Sequence, residues 1–129
     1  MRQLTNNRSV LLTGCSSGIG LAATQLLAKR GWNVIASVRK AEDADRLQHM
    51  GLKTVLLNVA DPVSIQAELD ETLTLAGGRL DALVNNAGIA IPGAVEDLER
   101  EILQRQFDTN FFGVMDLTRE VLPLMRRQG

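Results

Sequence analysis

Residues 9–20 read Ser-Val-Leu-Leu-Thr-Gly-Cys-Ser-Ser-Gly-Ile-Gly, followed by Leu21-Ala22-Ala23-Thr24-Gln25-Leu26-Leu27. The apolar run Ser9–Leu12 reads as a strand, and the apolar residues after Gly20 recur at helical spacing. Between them lies a glycine-rich turn. Gly14 lets the chain bend sharply off the strand. Gly18 and Gly20 carry no Cβ, so an anion can approach the backbone and the helix can pack close to the sheet. A helix starting here offers unpaired N–H groups and the positive end of its dipole to that anion. The stretch predicts a cradle for a nucleotide diphosphate. Its spacing is G-x-x-x-G-x-G, not the usual dinucleotide fingerprint G-x-G-x-x-G. Alone, such glycines would mark only a tight strand-to-helix turn in an α/β domain.

A second motif adds to it. Asn85-Asn86-Ala87-Gly88 follows another apolar strand, and Asn110 falls further on. T-G-x-x-x-G-I-G with N-N-A-G and a later helical Asn resembles the short-chain dehydrogenase/reductase family, from Ser9 to the end of the chain. The resemblance implies hydride transfer between a nicotinamide and an alcohol/ketone pair. In that family a Tyr is the general acid/base, a Lys lowers its pKa and fixes the ribose, and a Ser polarises the carbonyl. These residues come after the point where this chain ends, and the chain has no tyrosine. It is therefore expected to be the N-terminal, cofactor-binding half of such an enzyme, truncated relative to the full fold and inactive by itself.

The 129 residues suffice for one domain with a real core. Hydrophobic content of 45% and charged content of 22% are ordinary for a globular protein. Net charge is −1, and the only basic block is Arg126-Arg127, which argues against nucleic acid or an acidic membrane surface as partner. A single cysteine, Cys15, excludes an internal disulfide and favours a reducing compartment, so a cytoplasmic location is expected. Within the glycine loop Cys15 reads as a small filler. No signal peptide precedes the first strand, no apolar run could span a bilayer, and no metal site is expected.

Residues 1–8 read as a loose arm. The expected order is strand Ser9–Leu12, helix Ile19–Lys29 closed by Gly31, strand Asn33–Val38 and a short helix Ala41–Met50. His49 on that helix reads as solvated surface. Strand Lys53–Leu57 follows. Asp61 and Pro62 then open a helix as N-cap and first residue, and it runs to Ala76. Strand Leu80–Val84 and a loop Ala87–Gly93 lead to a long helix, Glu99–Arg127. Its Leu103, Phe107, Asn110, Val114, Leu117, Val121 and Met125 share one apolar face. The fold class is therefore α/β: a doubly wound parallel sheet, Rossmann-like, with strand order 3-2-1-4, right-handed crossovers and flanking helices. Ligands in such sheets bind at the carboxyl ends of the strands where the winding reverses. That point lies between strands one and four, so both motifs converge on one crevice.

The loop residues Gly14, Ser16, Ser17, Gly18, Ile19 and Gly20 are the candidate diphosphate contacts. Strand two ends Ser37-Val38-Arg39-Lys40. An acidic residue there would accept from a ribose 2′-hydroxyl and repel a 2′-phosphate. By alignment with the family, Val38 fills the acidic position of NAD-preferring members. Arg39 stands where many NADP-preferring members have a base, and a guanidinium binds phosphate bidentately. Ser37 adds a hydroxyl. Ser17 stands where the family often has a second basic residue. The expected cofactor is NADP(H) rather than NAD(H). Asn58 replaces the family's adenine-binding Asp and retains an acceptor oxygen, and Val59 supplies apolar contact to adenine. The resemblance makes Asn85 a sheet-stabilising residue of the site, and lets the nucleotide ribose approach Ala87 and Gly88.

Asn110 is the expected catalytic contribution of this half. In the family an Asn here holds a water through its backbone and continues a proton relay. Asp108-Thr109-Asn110 before Phe111-Phe112-Gly113 matches the pattern around it. Read from the residues alone, it is a satisfied core Asn that kinks the helix. The expected partners are the dinucleotide, a small alcohol or ketone, and a second copy of the chain through the 99–127 helix. Two other readings compete: a non-catalytic dinucleotide-binding module, and an S-adenosylmethionine methyltransferase, against which the paired motifs argue.

Overall fold

The computed structural model describes residues 8–129. In chain order its elements are β1 (Ser9–Leu12), α1 (Gly18–Lys29), β2 (Asn33–Val38), α2 (Ala41–His49), β3 (Lys53–Leu56), α3 (Pro62–Leu75) and β4 (Ala82–Val84). A 3-10 turn, Val95–Asp97, precedes α4 (Arg100–Phe107), a π-helical segment Asp108–Phe112 and α5 (Gly113–Gln128). The four strands form one parallel sheet in the order β3-β2-β1-β4, as expected.

Both faces of the sheet are covered, which explains the nearly continuous apolar runs of β1 and β2. Side chains alternate between faces. Leu11 and Ile35 enter a cluster with Val55, Ile65, Leu80, Leu117 and Val121, under α3 and α5. Leu12, Ala36 and Val38 enter a second cluster with Ala44 and Leu47, under α1 and α2. Truncating one of these fully buried leucines to Ala costs about 2–5 kcal/mol.

Local signals work as read at α3, where Asp61 Oδ1 accepts from the Val63 N–H at 3.0 Å and Pro62 takes the first helical position. Residues 1–7 of the expected loose arm lie outside the described residues. Arg8 is not loose: its carbonyl accepts from the Asn33 N–H at 3.0 Å and so begins the β1–β2 ladder. His49 is exposed, as read. β4 is shorter than expected, because Leu80 leaves the ladder. Gln128 takes both its backbone groups, accepting from the N–H at 2.9 Å and donating to the carbonyl at 2.7 Å.

The long helix needs a correction. It is continuous but not uniform. The Gly113 N–H closes on the Asp108 carbonyl, an i→i+5 turn that inserts one extra residue. The buried positions are Thr109, Gly113, Leu117 and Val121. Leu117 and Val121 keep the expected stripe, but Phe107 is 58% exposed and Asn110 also faces solvent. Everything before the π turn is rotated out of phase with the face that meets the sheet. Among the described residues, no helix is long and apolar enough to cross a membrane.

Candidate cofactor site

The carboxyl ends of β1, β2 and β4 open into a crevice of about 390 Å3. Thr13, at the end of β1, ties two of its walls together. Its Oγ1 accepts from the N–H groups of Asn86 and Ala87 at 3.0 and 2.9 Å. In return Asn86 Nδ2 donates to the carbonyls of Thr13 and Gly14 at 3.0 and 3.1 Å. The third wall is joined by the Cys15 N–H, which donates to the Ser37 carbonyl at 3.0 Å. The two sequence motifs, 72 residues apart, are thus one hydrogen-bonded unit.

The loop glycines divide the work. Gly14 has φ +69°, and a Cβ there would stand 2.8 Å from the Ala87 Cα. Gly20 is a packing glycine: a Cβ would collide with the Gly14 carbonyl and come within 2.6 Å of Asn86 Nδ2. Gly18 is different. It has φ +57°, and a Cβ there would meet nothing within 4 Å. Open space over the backbone is what a bulky anion needs. Ser17 caps α1 in an extended conformation, but its side chain makes no capping bond. The Leu21 N–H donates to the Ser17 carbonyl at 3.2 Å and opens the helical ladder. The first turn has no acidic residue, so the N–H groups and the positive dipole end remain for a ligand.

At the end of β2, Val38 is buried and no carboxylate lines the crevice. Ser37 is 1% exposed, lines the crevice, and its Oγ has no hydrogen-bond partner among the described residues. A buried hydroxyl without a partner costs about 1–3 kcal/mol, and a ligand acceptor or donor would relieve it. Arg39 is exposed, lines the same crevice, and makes no ion pair among the described residues.

Of the residues singled out by sequence, Gly14, Ser16, Ser17, Ile19, Gly20, Ser37, Arg39, Val59, Ala87 and Gly88 line this crevice. Gly18, Asn58, Asn85 and Asn110 are not among its lining residues. Asn58 is exposed, and its Oδ1 accepts from the Ala60 N–H at 3.1 Å, an Asx turn that occupies the oxygen expected to face adenine. Asn85 turns away and donates from Nδ2 to Thr118 Oγ1 at 3.1 Å, tying the end of β4 to α5. Asn110 sits outside the crevice as well. Its Oδ1 accepts from the Ile89 N–H at 2.8 Å, and its Nδ2 donates to the Ile89 carbonyl at 2.7 Å.

Sequence reasoning missed Asn86, Leu57, Ile89 and Thr109 as lining residues. The signal for Asn86 was present, since alternation along an extended chain turns Asn85 and Asn86 to opposite sides. Gly113 brings α5 up to the crevice floor: a Cβ there would stand 2.6 Å from the Val59 carbonyl. Cys15 is no nucleophile. It is fully buried, Sγ donates to the Leu12 carbonyl at 2.9 Å, and burial pushes its pKa up, away from the reactive thiolate.

The open backbone at Gly18 and the uncapped start of α1 leave room for the diphosphate of a dinucleotide. Comparison with known proteins points to a family that binds a nicotinamide dinucleotide. The chain is 39% identical over 122 residues to the uncharacterized oxidoreductase YbbO of Escherichia coli, covering 95% of this chain and 45% of that protein. It is 39% identical over 130 residues to human retinol dehydrogenase 8, covering 95% of this chain and 42% of the relative. The chain thus spans about half the length of the curated relatives it matches. Among solved structures, a short-chain dehydrogenase from Streptomyces avermitilis superposes with a TM-score of 0.86 at 35% identity, over 94% of this chain and 45% of that one. The 3-ketoacyl-(acyl-carrier-protein) reductase of Brucella melitensis, complexed with NADH, superposes at 0.87 with 29% identity, over 94% of this chain and 51% of that one. The family model for short chain dehydrogenases matches residues 8–129, so the chain belongs to the short-chain dehydrogenase family.

Proposed function

We propose that the chain is the cofactor-binding half of an NADP(H)-dependent, cytoplasmic oxidoreductase that interconverts an alcohol and a ketone. The family and the bound NADH of the Brucella relative support a nicotinamide dinucleotide. The name 3-ketoacyl-(acyl-carrier-protein) reductase supports an alcohol/ketone pair, and the name retinol dehydrogenase supports an alcohol as substrate. One observation carries the choice of NADP(H): at the end of β2 a partnerless Ser37 hydroxyl and an unpaired Arg39 line the crevice, and no carboxylate does. Gly18 and the uncapped start of α1 would hold the diphosphate, Ser37 and Arg39 the 2′-phosphate, and Val59 the adenine. Gly88 and Ala87 would admit the ribose. When bound, the cofactor would supply the hydride. Asn110 would serve the proton relay through its backbone, since its side chain is engaged by Ile89. The 99–127 helix would pair with a second copy.

Calorimetric titration of NADPH and NADH tests this reading. NADPH is expected to bind more tightly, and Arg39→Asp should remove the difference, a loss of about 1.5–3 kcal/mol for a hydrogen bond to a charged group. Equal affinities for the unaltered chain would defeat it. The chain by itself carries no tyrosine to act as the acid/base, so it is expected not to oxidise NADPH with a panel of carbonyl compounds. Steady oxidation that disappears in Gly18→Asp would overturn that expectation.

A further inference from the structure

We propose that Arg46 is a second cation of the 2′-phosphate subsite, an inference that rests on the NADP(H) reading. Arg46 belongs to α2, yet its Nη2 donates to the carbonyl of Ser16, 30 residues away in the glycine loop. Ser16 lines the crevice together with Ser17, Ser37 and Arg39. The loop supplies only hydroxyls on this flank, and the guanidinium from α2 brings further N–H donors to it.

Asp43, one turn earlier on α2, holds the guanidinium in place through Oδ1, which accepts from the same Nη2 at 3.0 Å. Both contacts use Nη2. A guanidinium carries five N–H donors, so Nε and Nη1 remain without a partner among the described residues. A phosphate monoester carries about −1.5 to −2 charges at neutral pH and three acceptor oxygens. Arg39 alone supplies one positive charge. The Asp43 carboxylate weakens the long-range field of Arg46, so its contribution is direct N–H donation to a phosphate oxygen. Lys40, the other cation nearby in sequence, is paired with Glu42 at 3.9 Å.

The probes are adenosine 2′,5′-bisphosphate and adenosine 5′-monophosphate, which differ only in the 2′-phosphate and need no chemistry. Both are titrated calorimetrically into the full chain and into Arg46→Gln, Arg46→Lys, Arg39→Gln and Lys40→Gln. Arg46→Gln should weaken the bisphosphate about fivefold, allowing for solvent screening of a half-exposed charge, and leave the monophosphate unchanged. Arg46→Lys should recover little of the discrimination, because the charge stays but the guanidinium's free N–H donors are lost. Equal weakening of both probes would reduce Arg46 to a prop for the Ser16 carbonyl and overturn the proposal. So would a loss of discrimination in Lys40→Gln but not in Arg46→Gln. If Arg39→Gln loses discrimination and Arg46→Gln keeps it, this inference fails while the NADP(H) reading stands. If the unaltered chain does not distinguish the probes, both fall. Circular dichroism confirms that each variant is folded.

Discussion

Asn110 grips Ile89 by both backbone groups, Oδ1 accepting from the N–H at 2.8 Å and Nδ2 donating to the carbonyl at 2.7 Å. One turn earlier, Gln106 does the same to Ile91, at 3.0 and 3.3 Å. The two amides stand in for a neighbouring strand, and hold the segment after β4 extended where it meets the crevice. Asn110→Leu should therefore raise amide hydrogen exchange at Ile89 and at Ile91. The expected stability loss is about 1–2 kcal/mol, since two ordinary hydrogen bonds at a partly solvated site are lost. Unchanged protection at Ile89 would show that another contact holds the segment. Asn110→Asp keeps the acceptor but sets an oxygen against the Ile89 carbonyl, so it should loosen the segment too.

Gly20 and Gly18 should respond differently to the same added methyl group. At Gly20 the new Cβ would enter the space of the Gly14 carbonyl and Asn86 Nδ2. Gly20→Ala is expected to cost about 1–3 kcal/mol by overpacking and to weaken nucleotide binding with it. At Gly18 there is room, and only the φ of +57° is strained. Gly18→Ala should lose about 1–2 kcal/mol from the left-handed backbone alone. Urea unfolding with a nucleotide titration measures both. The reverse order of stabilities would contradict the packing role of Gly20.

Acid should weaken the base of the sheet through Asp81. Its carboxylate accepts from the Ser9 N–H at 2.9 Å and from Arg79 Nε at 2.7 Å. The Ser9 N–H first, and then Arg79, hold its pKa below the ordinary carboxylate range. A group whose folded pKa is depressed contributes stability above its unfolded pKa, and loses it as pH falls through the folded value. The unaltered chain should thus lose stability as pH drops below the ordinary aspartate range. Asp81→Asn should flatten that acid limb and lower stability near neutrality. Thermal melts across the acid range check the slope, and parallel curves for both proteins would count against Asp81.

The chain should self-associate. Phe107, Phe111 and Phe112 are each about half exposed along α4 and the π segment, with Leu103 and Met115 beside them. Among the described residues β4 pairs only with β1, which leaves its other edge open. Exposed apolar side chains grouped on one face favour association with another chain. Light scattering after size exclusion should give a mass above that of one chain. Phe111→Glu should lower it if the helix makes the contact, and a charge at Val84 should lower it if the strand does. A single monomer peak at tens of micromolar would defeat the expectation.

The parts of this molecule set by short-range physics were legible in the sequence. Gly14 marked a sharp turn off β1, Asp61-Pro62 marked a helix start, and the nearly continuous apolar runs of β1 and β2 marked a doubly covered sheet. Each follows from residues within one turn or one strand of each other. Pairing and phase were decided only in three dimensions. Alternation puts Asn85 and Asn86 on opposite sides, but the pairing of β4 with β1 chose Asn86 to close on Gly14 and sent Asn85 to Thr118. The apolar stripe of the last helix reads as one continuous face, yet a single i→i+5 turn at Asp108 shifts its first half, and Asn110 reaches Ile89 from there. Arg46 reaches the glycine loop across 30 residues. A local period carries no information about which distant backbone group will stand opposite a side chain, because that depends on how the whole sheet and its helices pack.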